Sequence, residues 1–190
     1  MEIKDTDTTF IMQNSSSSST LGNTKELISA VGCTLTAYTR IANAISGTNI
    51  SLEMANEKAK NLYTNGNELS PQAGEKLINS LIEGTGKSVT YAGSQSLDSM
   101  TESGSFLNSL ENSFSKVYVT ARIKTTDSNN TKEYGHTVNI NSNSVFAGNI
   151  SDIDNALNIK VNDTSGVRKQ ISDDVRDNVL ERIDYFRVNE

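Results

Sequence analysis

The chain contains one cysteine and one histidine, and each follows a glycine at the start of a regular apolar pattern. Cys33 follows Gly32 and begins a run with helical periodicity. His136 follows Gly135 and begins a run that alternates as a strand does. A thiol is a good nucleophile only when it is ionised, and a helix N-terminus and a nearby imidazole both lower its pKa. These positions therefore predict a nucleophile and its general base.

Both residues also have an ordinary structural interpretation. A lone cysteine is most often a small buried side chain, and a lone histidine often makes a hydrogen bond at a strand edge. At the start of a helix, however, the thiolate of Cys33 would feel the positive end of the helix dipole. The backbone N–H of Cys33 would also be available to an oxyanion. We therefore interpret Cys33 and His136 together as a catalytic dyad.

Helical patterns dominate the first half of the chain and would position the thiol. Apolar residues recur at three- and four-residue steps after Cys33, and Gly47 is a typical helix end. Ser51 and Ser70 are N-cap candidates, and Pro71 suits the first turn of a helix. The four predicted helices cover residues 33–46, 51–62, 70–84 and 104–115.

The second half changes to the two-residue period of β-strands. Strands are predicted over residues 117–123, 136–140, 144–148, 157–161 and 183–188, with a helix over 173–182 before the last strand. Helices segregated from an antiparallel sheet indicate an α+β fold. We expect a helical N-terminal half packed on a C-terminal antiparallel sheet, with the dyad between them.

Composition restricts the class of protein. A length of 190 residues fits a single domain, which we place at residues 10–190 after a flexible polar tail at residues 1–9. The net charge of −6, without a Lys/Arg cluster, argues against nucleic-acid binding. No apolar run is long enough for a membrane span. The start lacks a secretory signal, so we expect cytoplasmic synthesis, with export by a signal-independent secretion system as the alternative.

Four segments in order resemble the papain-like cysteine peptidases related to the bacteriocin leader peptidases, which process double-glycine leaders. A glutamine follows a short apolar stretch at Ile11-Met12-Gln13, and a Gly-Cys-x-Leu-Thr segment occupies residues 32–36. A strand, a polar loop, Gly-His and a second strand follow over residues 117–140. An Asn-Asp-x-x-Gly segment lies at residues 162–166. The likeness implies a papain-like fold over most of the chain.

The resemblance also implies site residues. Cys33 would be the nucleophile, and His136 would take its proton and return it to the leaving amine. The side chain of Gln13 would donate to the oxyanion beside the backbone N–H of Cys33. Asp163 would orient the imidazole, although the tryptophan often found near the glutamine is absent because the chain has none.

The third catalytic residue has three candidates. Asp163 has the strand-then-turn context of the family but lies farther from His136 than the family usually shows, which requires an insertion near residues 148–156. Asp152 fits the usual spacing but lacks that context. Asn162 is adjacent to Asp163 and could also orient an imidazole.

The resemblance implies a cysteine hydrolase that cleaves an amide bond through an acyl-enzyme, without a metal or organic cofactor. Its partner would be a peptide or protein substrate. One alternative is a peptidoglycan amidase or endopeptidase, a toxin effector held in check by a protein inhibitor or immunity partner. The other is a papain-like binding domain without catalytic activity.

Overall fold

Helices precede strands in the computed structural model, which describes residues 2–6, 11–16, 18–96, 116–126, 133–140, 161–163 and 178–190. A 3₁₀ turn at Gln13–Ser15 comes before the α-helices, which are α1 (Ile28–Val31), α2 (Cys33–Ser46), α3 (Leu52–Ala59) and α4 (Pro71–Leu81). The strands are β1 (Glu2–Ile3), β2 (Ser88–Ser96), β3 (Lys116–Thr126), β4 (Glu133–Ile140), β5 (Val161–Asp163) and β6 (Asn178–Asn189). The predicted α+β class is confirmed.

The strands form one sheet in the order β2-β6-β3-β4-β5, and all of these neighbours are antiparallel. Strand β1 runs parallel to the first residues of β3, where Ile3 pairs with Val117. Strands β6 and β3 lie at the centre of the sheet. Helix α2 packs against β4, and α4 packs against both α2 and β2. The helical layer therefore covers the face of the sheet on which Tyr118 and Phe186 join its core.

Helix α2 forms as its pattern predicts, because its apolar stripe meets that core. It ends at Gly47, whose φ of 68° is left-handed and whose N–H donates to Asn43 O at 2.8 Å. The ring of Tyr38 packs edge-on against Phe186, with centroids 5.4 Å apart. The stripe residues are all buried, namely Leu35, Tyr38, Ile41, Ala42 and Ile45.

The predicted caps of the next two helices are confirmed. The Ser51 hydroxyl accepts from the N–H of Met54 at 3.2 Å, and the Ser70 hydroxyl accepts from Ala73 at 3.1 Å. Both helices end earlier than predicted, α3 at Ala59 and α4 at Leu81. None of the described helices combines the length and the apolar character needed to cross a bilayer.

The sheet differs from the prediction at three places. Residues 178–182 belong to β6 rather than to a helix, because they pair with β3 along its length. Residues 88–96 form β2, a strand that the sequence pattern did not predict. Residues 2–3, part of the predicted flexible tail, form β1 of the sheet instead. The N–H of Lys4 donates to Val117 O at 2.8 Å. Val117 lies in the part of β3 that does not pair with β4.

Other predicted elements lie outside the described residues. These are the helix over 104–115, the strand over 144–148, all but the last residue of the strand over 157–161, and the first residues of the helix over 173–182. The assumed insertion near residues 148–156 lies there as well.

Candidate functional site

Cys33 is the first residue of α2, and a tight junction after α1 places it there. Gly32 donates its N–H to Ile28 O at 2.7 Å. A Cβ atom at Gly32 would lie 2.6 Å from the same carbonyl oxygen, closer than any side chain tolerates. Only glycine therefore fits this junction without displacing α1.

Two side-chain contacts join α2 to β4 close to Cys33 and His136 in the sequence. The hydroxyls of Thr34 and Thr137 are 2.8 Å apart. One turn further along the helix, Asn139 Nδ2 donates to the carbonyl of Ala37 at 3.1 Å. These contacts hold the start of α2 beside the part of β4 that contains His136.

The thiol of Cys33 lies in a polar environment although the residue is only 7% exposed. The imidazole of His136 and the backbone N–H of Thr137 both hydrogen-bond Sγ. The hydroxyl of Thr34 lies 3.9 Å from Sγ, and Nη1 of Arg122 lies 4.0 Å from it. The lone cysteine and the lone histidine therefore meet, with a guanidinium beside them.

These neighbours control the ionisation of the thiol. Burial of Cys33 is the largest single influence and would raise the pKa. The hydrogen bond from His136, the charges of His136 and Arg122 and the N–H of Thr137 act in the opposite direction. Together they outweigh burial and lower the pKa of Cys33 from 9.0 to about 6. The geometry thus stabilises a thiolate at neutral pH.

Gln13 is the first residue of the 3₁₀ turn, and this turn packs against α1. Helix α1 is the element that comes directly before Gly32 and Cys33. The Gln13 side chain is buried at 6% exposure, and its Nε2 donates to Ser29 O at 3.0 Å. One amide N–H of Gln13 is therefore used to fasten the turn to α1. The side chain is part of the packing around the helix junction rather than a solvated loop residue.

Arg40 was not anticipated, and it ties the Gln13 segment (residues 11–13) to α2. It lies about two helical turns after Cys33 on the same side of α2 and is fully buried. Its Nε donates to the carbonyl of Ile11 at 2.7 Å, and its Nη2 lies 3.8 Å from Sδ of Met12. Arg40 lies on the side of α2 opposite the apolar stripe, where the periodicity predicts a solvated side chain, so the sequence carries no signal for this role.

Replacing Arg40 by Leu should lower the free energy of unfolding by about 2–4 kcal/mol, because the Ile11 carbonyl would lose a buried donor. Urea denaturation followed by circular dichroism measures this. Lys58→Leu, on the exposed side of α3, is the control and should change stability by less than about 0.5 kcal/mol. Equal denaturation midpoints for Arg40→Leu and the parent protein would contradict the structural role.

Strand register locates two of the three candidates for the residue that would orient His136. Asp163 pairs with Val138, and Asn162 pairs with Asn139. Asp163 is therefore diagonally opposite His136 on the neighbouring strand, a backbone separation of about 7–8 Å in antiparallel sheets. Asp152 lies outside the described residues.

Arg122 is the second residue that the sequence did not reveal. It occupies a strand position between apolar neighbours, and nothing in its local pattern distinguishes it from a solvated strand residue. Its Nη1 donates to Thr137 Oγ1 at 3.1 Å. Strand pairing alone brings it to the site, because Arg122 and Thr137 are direct cross-strand partners.

Among the described residues, no group of three or more His, Cys, Asp or Glu side chains is close enough to hold a metal ion. A scan against protein-family models finds no match for the chain. A comparison with curated proteins finds no significant match either.

Proposed function

We propose that the protein is a papain-like cysteine hydrolase that cleaves an amide bond through a covalent acyl-enzyme. The observation that carries the proposal is the contact of Cys33, at the N-terminus of α2, with the imidazole of His136. A thiol with a pKa of about 6 is ionised at neutral pH, as nucleophilic catalysis requires. A structural cysteine in an apolar core would have a raised pKa instead.

The reaction follows from these two groups. The Cys33 thiolate attacks the carbonyl carbon, and the carbonyl π electrons move to oxygen to form a tetrahedral oxyanion. The His136 imidazolium then protonates the departing amine as the C–N bond breaks, which leaves a thioester on Sγ. Neutral His136 next takes a proton from water, the hydroxide equivalent attacks the thioester, and the C–S bond breaks. The carboxylic acid leaves, and the thiolate–imidazolium pair is restored.

The start of α2 supplies a donor for the oxyanion. Cys33 is the first residue of the helix, so its backbone N–H has no acceptor within α2. That N–H points to where charge develops when the same residue attacks, and the helix dipole has the favourable sign. Gln13 is the proposed second donor, which its packing against α1 supports. Removing one such donor commonly lowers turnover by about a hundredfold or more.

Asp163 is the proposed third residue, because its strand register brings it near His136. Asp163→Ala should lower turnover by roughly a hundredfold without unfolding the protein, since an imidazole without its carboxylate is poorly oriented. Asp152→Ala is the matched control and should change little. Steady-state hydrolysis and circular dichroism of both variants test this. Loss of activity only in Asp152→Ala would reassign the role.

The substrate decides between the proposed functions. Purified protein should be incubated with casein-like peptides and with purified peptidoglycan, with Cys33→Ala as the blank. Peptide cleavage that depends on Cys33 supports a peptidase, and release of peptidoglycan fragments alone supports a cell-wall effector with an immunity partner. Cleavage of neither, together with slow alkylation of Cys33, would reject the hydrolase in favour of a papain-like binding domain.

A further inference from the structure

Arg122 places a positive charge beside the proposed nucleophile, although a Cys–His pair can hydrolyse an amide without an arginine. Its Nη1 lies 4.0 Å from Sγ of Cys33 and 3.1 Å from Oγ1 of Thr137. No ion pair among the described residues includes Arg122; those pairs are Lys60–Glu57, Lys116–Glu190 and Arg182–Asp184. Within that part of the chain, the thiolate is thus the anion that faces this guanidinium.

The neighbouring arginine shows the contrast. Arg122 and Arg182 are direct cross-strand partners in β3 and β6. Arg182 is neutralised by Asp184, with Nε and Oδ1 2.7 Å apart. The two arginines are on neighbouring strands, and the described residues provide a carboxylate partner for Arg182, which is farther from Cys33. Among the described residues, the charge of Arg122 therefore acts mainly on the surroundings of Cys33.

Gly135 creates the space that Arg122 occupies. A Cβ atom at Gly135 would lie 1.9 Å from Nη2 of Arg122 and 2.4 Å from its Cζ. The guanidinium therefore lies directly over the Gly135 backbone, next to His136 in sequence. Gly135 is exposed and Arg122 is half-buried. A side chain at position 135 would force the guanidinium, which is the end of a flexible side chain, to leave this place.

The charge of Arg122 stays uncompensated through the proposed reaction. In the resting site, the Cys33 thiolate and the His136 imidazolium balance each other. In the acyl-enzyme the thioester and His136 are both neutral, so the half-buried guanidinium remains beside the sulfur as a net positive charge. An uncompensated charge in such a place is unfavourable. A carboxylate on the substrate would restore the balance, and a guanidinium edge suits a carboxylate through paired N–H donors.

We infer that Arg122 binds a carboxylate of the substrate next to the scissile amide, so that the site selects acidic substrates. The inference rests on the proposed hydrolase function and names the substrate class for that same site. The carboxylate can come from an Asp or Glu side chain flanking the cut or from a free C-terminus. Arg122 is then a binding residue that determines specificity.

The first test compares two alkylating agents that differ only in charge. Iodoacetate carries a carboxylate next to the attacked carbon, and iodoacetamide is its neutral analogue. The ratio of their rate constants at one pH cancels the thiolate fraction, so a change in the Cys33 pKa does not affect it. Arg122→Gln should lower the iodoacetate-to-iodoacetamide ratio by about tenfold, from the loss of one nearby unit charge.

Two further variants give the control and an independent route. Gly135→Ala keeps Arg122 but places a Cβ atom where its guanidinium lies. The flexible arginine side chain can then move away from Cys33, so the iodoacetate-to-iodoacetamide ratio should fall by a similar factor. Lys60→Gln removes the same charge from the residue that follows α3, where Lys60 pairs with Glu57, and should leave the ratio unchanged.

The outcomes separate the two proposals. An unchanged ratio in Arg122→Gln, with fast iodoacetamide alkylation of the parent protein, would overturn the inference and leave the hydrolase proposal standing. Slow iodoacetamide alkylation of the parent would reject the hydrolase proposal itself. A normal ratio in Gly135→Ala with a low ratio in Arg122→Gln would overturn the role of Gly135 in positioning the guanidinium.

Matched peptides then distinguish the sources of the carboxylate. A peptide cleaved in the substrate screen is remade with Glu or Gln flanking the cut, and with a free or amidated C-terminus. We expect one of the two pairs to show about a tenfold preference in kcat/KM for the charged member, lost in Arg122→Gln. Equal rates within both pairs would contradict the inference.

Discussion

Cys33→Ala should lower amide hydrolysis by about a thousandfold or more, and His136→Ala should lower it by a similar factor. The reason is that the thiolate and the imidazole act in the same steps, so each variant removes the same covalent route. The double variant should be no slower than the worse single variant. Initial rates on the substrate found in the screen, measured at equal enzyme concentration, check this.

Folding can be separated from chemistry in this experiment. Cys33→Ala removes one atom from a small side chain at the start of α2, so the circular dichroism spectrum and the unfolding midpoint should stay close to those of the parent. Lys60→Gln, just after the end of α3 and away from the site, should keep full activity. A Cys33→Ala protein that retains more than a tenth of the parent rate would show that the thiol is not the nucleophile.

Alkylation of the parent protein by iodoacetamide should rise through a midpoint near pH 6 and then stay level to pH 8. The midpoint follows from the pKa of about 6 for Cys33. The chain has one cysteine, so mass spectrometry of the intact protein reads this site alone. An ordinary thiol would instead react faster with each increase in pH up to its pKa of about 8.5.

His136→Ala should move that midpoint upward by about two to three pH units. The hydrogen bond and charge that lower the pKa are lost, whereas burial, which raises it, remains. A higher pKa means less thiolate at every lower pH, so at pH 6 the ionised fraction falls by about fifty- to five-hundredfold. A more basic thiolate is also a better nucleophile, and the net rate at pH 6 should fall by about five- to thirtyfold.

Arg122→Gln should give a smaller upward shift, because the charge of Arg122 contributes less to the pKa than the contact with His136. The order of the three midpoints, with the parent lowest and His136→Ala highest, is therefore part of the expected result. A parent midpoint near pH 8.5 would contradict an activated thiol. Identical midpoints in the parent and His136→Ala would show that the imidazole does not control ionisation.

The helices were predictable because their signals are local. The boundaries of α2, its buried stripe and the end at Gly47 follow from periodicity and a left-handed terminal residue. The serine caps of α3 and α4 act within three residues of themselves. Each of these features depends on atoms one or two turns apart, so a single sequence contains the necessary information.

The strands were less predictable, because the partner of a strand decides whether it forms. Residues 178–182 carry a pattern compatible with a helix, yet they pair with β3. Residues 2–3 have no periodicity that predicts a strand, yet they pair with the first residues of β3. Hydrogen bonds between distant segments override weak local preference in each case.

The same division applies to the candidate site. Sequence alone determined the thiol at a helix start, the glycine before it and the imidazole at a strand, because each depends on local residue type and pattern. Tertiary structure alone decided that His136 meets Cys33, that Arg40 holds the Gln13 segment, and that Arg122 lies over Gly135. These contacts join segments far apart in the chain, and only packing and strand register determine which segments meet.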